Sequence, residues 1–101
     1  DVTAYSDLRL KSNLDRLSGL DMIKQFNGWE FNWTEEAQEK LGKTAERDVG
    51  VLAQEVQKVV PSAVHTDKDG NLHVAYHKLI PVLLEALHEL AGKVEALEKG
   101  A

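Results

Sequence analysis

Ser6 and Lys11 stand five residues apart in the stretch "AYSDLRLKSNLDRL". Together they have the parts of a nucleophile–base pair: a hydroxyl that can attack a carbonyl and an amine that, when neutral, can take its proton. The same stretch reads equally as a helix start. Leu8, Leu10, Leu14, Leu17 and Leu20 recur at mostly three-to-four spacing, which predicts an amphipathic helix from about Asp7 to Ser18, ended by Gly19. Ser6 would then be the N-cap and Asp7 would sit where the helix dipole favours a negative charge, although Arg9 occupies the place of the Glu or Gln of a full capping box. On spacing alone the cap is the commoner reading. On an α-helix, positions five apart lie about 140° around the axis from each other, so Ser6 reaches Lys11 only from outside the first turn.

Other chemistry is weaker. "DKDGNLHVAYHK" has its glycine at the wrong position for a calcium loop and ends on Lys78, where a bidentate Glu is needed. His73 and His77 have the spacing of a helical zinc pair, but they straddle the end of an expected strand, where that spacing separates them. They read as surface or hydrogen-bonded histidines, and His65 and His88 add nothing specific. No metal site and no cofactor is expected. Trp29 and Trp33 read as core residues rather than as a platform for a sugar or cofactor.

The elements that must position these residues are bounded by composition. The chain has 101 residues, 43% of them hydrophobic, which suits one small globular domain with a limited core and makes oligomerisation an expectation. It has no cysteine, so neither disulfides nor thiolate metal sites are open to it, and a reducing compartment suits it. A net charge of -5 argues against non-specific binding to nucleic acid, which needs a basic footprint. No apolar run has the length of a membrane span, and Asp1–Tyr5 lacks the parts of a signal peptide. Protein partners are therefore expected, with no nucleic acid and no membrane.

After Gly19, Trp29, Phe31 and Trp33 alternate with Glu30 and Asn32 as in a half-buried strand, and the charged "TEEAQEKLGKTAERD" reads as an exposed loop or hairpin arm. "GVLAQEVQKVVP" places Val51, Leu52, Val56 and Val59 on a short helix that stops near Pro61. "AVHTDKDGNLHVAY" contains Asp69-Gly70, a two-residue hairpin turn between β-prone arms. At the C-terminal end, Ile80, Leu83, Leu87, Leu90, Val94 and Leu97 form an a/d heptad seam on a helix over about 78–98. Leu84 and Ala91 widen the stripe, implying that part of the helix packs on its own domain. The seam favours self-association; the alternative is a single amphipathic core helix.

In this order, "SDLRLKSNL", "GVLAQEVQKVVPSAV" and "DGNLHVAYHKLIPVLLEALHEL" resemble, over nearly the whole chain, the C-terminal intramolecular chaperone domain of bacteriophage tail spikes, tail fibres and endosialidases. The resemblance implies a serine–lysine self-cleaving domain that trimerises, aligns an upstream β-rich fibre or spike for folding, and is then released. Its S-D-x-R-x-K motif falls on Ser6 and Lys11, implying that these two carry out cleavage at the Tyr5–Ser6 bond. The expected fold is α+β and mainly helical, with small β-hairpins and a long C-terminal helix forming a short trimeric coiled coil. Residues 1–5 would be the remnant of the upstream segment and 6–101 the chaperone domain. The implied setting is a virion tail precursor assembled in the bacterial cytoplasm, with the released domain absent from the mature fibre. A non-cleaving homotrimerisation cap of the same fold is the alternative, and related domains also occur in membrane-tethered eukaryotic transcription factors.

A lysine is useful as a base only when neutral. Bringing one from about 10.4 to about 7–8 takes roughly 4 kcal/mol of bias against the charged form. Burial at a trimer interface, or a neighbouring cation such as Arg9, would be the source of that bias.

Overall fold

A computed structural model describes residues 3–100. The fold is mainly helical α+β, as expected: α1 (Gly19–Ile23), β1 (Trp29–Phe31), α2 (Glu35–Leu41), β2 (Asp48–Gly50), α3 (Ala53–Val59), β3 (Val64–Thr66), β4 (Leu72–Val74) and α4 (Ile80–Gly100), with 3₁₀ turns at Leu8–Leu10, Pro61–Ala63 and Tyr76–Leu79. Both sheets are two-stranded and antiparallel: β1 pairs with β2, Glu30 opposite Val49, and β3 with β4, His65 opposite His73.

The helix expected over 7–18 does not form. Three residues make a 3₁₀ turn, Lys11 is already extended, and Asn13 takes a positive φ of 54° that interrupts any helix. Leu8, Leu10 and Leu14 stay exposed, so the chain offers that segment no apolar surface to pack on, and packing is what sustains most short helices. Gly19 consequently does not end a helix but opens α1.

The segment 34–48, expected as an exposed loop or hairpin arm, contains α2 and ends on the first residue of β2. Thr34 caps it, its hydroxyl accepting from Ala37 N at 3.1 Å; Glu35 and Glu36 occupy the first turn, Lys40 pairs with Glu36 at 2.8 Å, and Gly42 closes the C-terminal end. Local capping and i,i+4 pairing thus hold a helix that hydrophobic periodicity does not announce. At the second hairpin, the expected Asp69-Gly70 turn is a three-residue loop between Asp67 and Asn71. Asp67 N donates to Asn71 O at 2.9 Å, Gly70 has a φ of 85°, and the Asp67 carboxylate accepts from Asp69 N and Asn71 N. Trp29, expected in the core, is 43% exposed and donates Nε1 to Glu55 at 3.1 Å, while Trp33 is half-buried, edge-on to Phe31.

The core is small. Val56, Ala63 and Leu79 bring α3 and the two later 3₁₀ turns together, with Phe26, Val51, Val60, Val64 and Val74 packed around them. Tyr76 closes one side: its hydroxyl accepts from Val51 N at 3.1 Å. A second contact sets α1 across the start of α4, where Gly19, Val82 and Ala86 are buried. It is these residues, and not Leu84 and Ala91, that pack the long helix on its own domain. The backbones approach so closely that a Cβ on residue 19 would overlap Ala86 N and Val82 O. Gly19→Ala must therefore push α1 off α4, and we expect it to lower stability by about 2–3 kcal/mol. Thermal denaturation that leaves the midpoint unchanged would show that the two helices can separate without cost.

Candidate functional site

The turn at Leu8–Leu10 brings the two residues singled out above together: Lys11 Nζ donates to Ser6 Oγ at 3.0 Å. The angular objection disappears because neither residue lies on an α-helix. Ser6 precedes the turn, Lys11 follows it in an extended conformation (φ -121°, ψ 145°), and the chain reverses between them. Leu10 N donates to Asp7 O at 3.0 Å and Lys11 N to Leu8 O at 3.1 Å, closing the turn.

Asp7, not Ser6, is the cap. Its Oδ1 accepts from Arg9 N at 2.9 Å, and its carboxylate also takes the Arg9 guanidinium, with Nη2 2.8 Å from Oδ2 and Nε 3.2 Å from each oxygen. The guanidinium, followed by the Arg9 backbone bond, holds the Asp7 carboxyl below its usual range, and the carboxylate in turn raises Arg9. Arg9 is thus already paired, which offsets the field that a bare cation would place beside Lys11. Ser6 and Lys11 are exposed, and Tyr5, on the other side of the Tyr5–Ser6 bond, is 95% exposed.

Beyond Lys11 the segment runs to α1 and is fastened once on the way. Arg16 Nε donates to Glu85 Oε1 at 2.8 Å, and His88 Nδ1 lies 3.1 Å from Glu85 Oε2. Sequence reasoning missed this tie, since residues so far apart in the chain leave no local pattern. The cap at Asp7 is within reach of sequence reasoning, because Asp is a preferred N-cap residue and stands directly after Ser6.

The seam residues stand together along α4, facing away from the domain core. Ile80, Leu83, Leu87, Leu90, Val94 and Leu97 are all exposed, Leu87 by 63% and Leu97 by 75%, and every residue from Ala91 to Gly100 is exposed. The histidines are arranged otherwise. His65 and His73 stack across β3 and β4 with centroids 4.9 Å apart, His73 Nε2 lies 2.8 Å from Asp67 Oδ2, and His77 lies on the next turn. Among the described residues no group of three or more His, Asp or Glu is placed to hold a metal ion.

Residues 6–65 match the sequence profile of the family described as the chaperone of endosialidase. The match covers more than half of the chain and opens on Ser6, and the chain belongs to that family. Its relatives include the long tail fiber protein Gp37 of Enterobacteria phages K3 and T2, each 36% identical over 103 residues, covering 97% of this chain. Gp37 of Escherichia phage AR1 is 29% identical over 92 residues, or 88% of the chain. The chain spans about 8% of the length of these fibre proteins. The α4 seam lies beyond the residues that the family profile matches.

Because Asp7 carries the cap, Ser6→Ala should cost less than about 0.5 kcal/mol, the range of an ordinary surface substitution. A loss near the ~1 kcal/mol typical of a cap, measured by chemical denaturation, would return the capping role to Ser6.

Proposed function

We propose that this domain is an intramolecular chaperone for a phage tail fibre or spike: it trimerises, aligns the upstream polypeptide for folding, and then cuts itself off at the Tyr5–Ser6 bond. The observation that carries the reading is the 3.0 Å contact between Lys11 Nζ and Ser6 Oγ at the opening residue of the family match. Membership of the endosialidase-chaperone family and similarity to tail fibre proteins support the chaperone role and a virion tail precursor as its setting.

In the cleavage, Ser6 Oγ attacks the Tyr5 carbonyl carbon while neutral Lys11 takes the hydroxyl proton. The Tyr5–Ser6 amide bond breaks, the Ser6 nitrogen leaves as an amine carrying a proton, and Tyr5 is held as an ester on Ser6 Oγ. Water hydrolyses the ester, which gives a Tyr5 carboxylate upstream and a new N-terminus at Ser6. No cofactor enters these steps. A single turnover suffices, because the substrate is the enzyme's own chain.

Trimerisation is supported by surface and pattern. A compact monomer of 11.2 kDa exposes about 5,700 Å², whereas this chain exposes 8427 Å². The exposed hydrophobics include the outward seam of α4 and Leu8, Leu10 and Leu14, a surface that like chains would cover. Such packing would also supply the burial that the exposed Lys11 lacks in a single chain, coupling cutting to completed assembly. The second reading, a trimerisation cap that does not cut, keeps the same seam and leaves Ser6 and Lys11 idle.

Sedimentation equilibrium at micromolar concentration should give a trimer. Leu87→Asp and Leu90→Asp should each abolish it, because a carboxylate would be buried without a partner in every copy. An unchanged trimer in both variants would remove the seam from the interface. Expressed with its upstream segment, the wild-type chain should yield an intact mass beginning at Ser6, whereas Ser6→Ala and Lys11→Ala should assemble and stay full length. Ser6→Cys should cut slowly, since a thiol needs a weaker base. Wild-type trimer that stays uncut for days at neutral pH would leave only the non-cleaving cap.

A further inference from the structure

Two side chains on an exposed segment do not stay within hydrogen-bonding distance by themselves. Lysine carries close to the largest rotamer entropy of any side chain. Leu8 and Leu10 are 69% and 68% exposed, so among the described residues little apolar packing holds the turn that separates Ser6 from Lys11. What closes it is polar: Lys11 N donates to Leu8 O at 3.1 Å, and the other bonds gather on Asp7. Asp7 O accepts from Leu10 N, Asp7 Oδ1 accepts from Arg9 N, and both carboxylate oxygens grip the Arg9 guanidinium. The carboxylate is therefore fixed from two sides, by the backbone it caps and by the forked side chain that the same residue returns to it.

We propose that Asp7, clamped by Arg9, is the positioning residue of the Ser6–Lys11 pair: its cap folds the intervening turn and so sets the distance from Ser6 Oγ to Lys11 Nζ. This rests on the reading of Ser6 and Lys11 as nucleophile and base. Asp7 takes no proton in the reaction. Its oxygens are committed to Arg9, whose guanidinium holds the carboxyl below the usual carboxylate range. Its part is geometric, and geometry is expensive to lose, since a misplacement of about 1 Å costs an enzyme on the order of a hundredfold in rate.

The test is the first-order rate of self-cleavage in the chain carrying its upstream segment, with oligomeric state followed in parallel. Asp7→Ala should assemble and cut about a hundredfold more slowly. Asp7→Asn, which keeps an acceptor for Arg9 N without the charge, should cut within about tenfold of wild type, with the midpoint of its rate–pH profile unmoved. A displaced midpoint, or a rate as low as that of Asp7→Ala, would assign Asp7 an electrostatic part and overturn the positioning role. So would wild-type speed in Asp7→Ala. If Asp7→Ala does not assemble, Asp7→Ser and Asp7→Glu decide: a short neutral cap should outpace a longer charged one, and the reverse order overturns the proposal. Failure of the underlying reading looks different, because wild type then stays uncut or Lys11→Ala cuts as fast as wild type.

Discussion

The scarcity of buried apolar surface governs this chain. Among the described residues the buried hydrophobics are Val56, Ala63, Leu79, Val82 and Ala86, while the longest apolar stripe in the sequence is spent on the outward face of α4. With so small a core, the remaining elements are held by specific polar ties and one close backbone contact. Glu55 shows how such a tie works. It accepts from Trp29 Nε1, Asn27 Nδ2 and Asn27 N, fastening the approach to β1 onto α3. The bond from the Trp29 indole is the largest cause of its lowered pKa. A carboxylate of lowered pKa contributes its stability above its unfolded value, near 4.5, and loses that contribution as the pH falls through the folded one.

Asp67 plays the same part at the second hairpin. Its carboxylate gathers His73, Asn71 N and Asp69 N, with His73 the largest cause of its depressed pKa. The first sheet is tied through Arg47, which reaches Asn32 at 2.8 Å, and through Trp33 Nε1, which donates to Asp48 at 3.1 Å. Such ties are individually weak at an exposed surface. Their value is directional: each fixes the register of a two-stranded ribbon that is too short to specify itself.

Patterns that concern one element at a time were legible. The heptad spacing located α4, the Val51–Pro61 pattern located α3, and the alternation of Trp29 and Phe31 located β1. Patterns that depend on a distant partner were not. The leucines of 8–17 have helical spacing, yet a helix there needs a surface that the single chain lacks, and Asn13 turns the backbone the other way. Gly19 looked like a stop because its use, a close approach to Val82 and Ala86, is written far downstream. The α2 helix failed to show because its support is capping and charge pairing rather than an apolar face. For the candidate site, the residue types of Ser6 and Lys11 were readable, and their 3.0 Å contact became so only once the turn replaced the helix.

The tie between Arg16 and Glu85 bears on where the N-terminal segment is anchored. From Lys11 to Ser18 the chain contains no helix, and its backbone bends at Asn13. On its way to α1 the segment meets, at Arg16, an ion pair with the mostly buried Glu85 of α4. Because α1 also packs on α4 at Gly19, the ion pair and the helix that follows it both anchor this segment to the long helix and not to the core of Val56, Ala63 and Leu79.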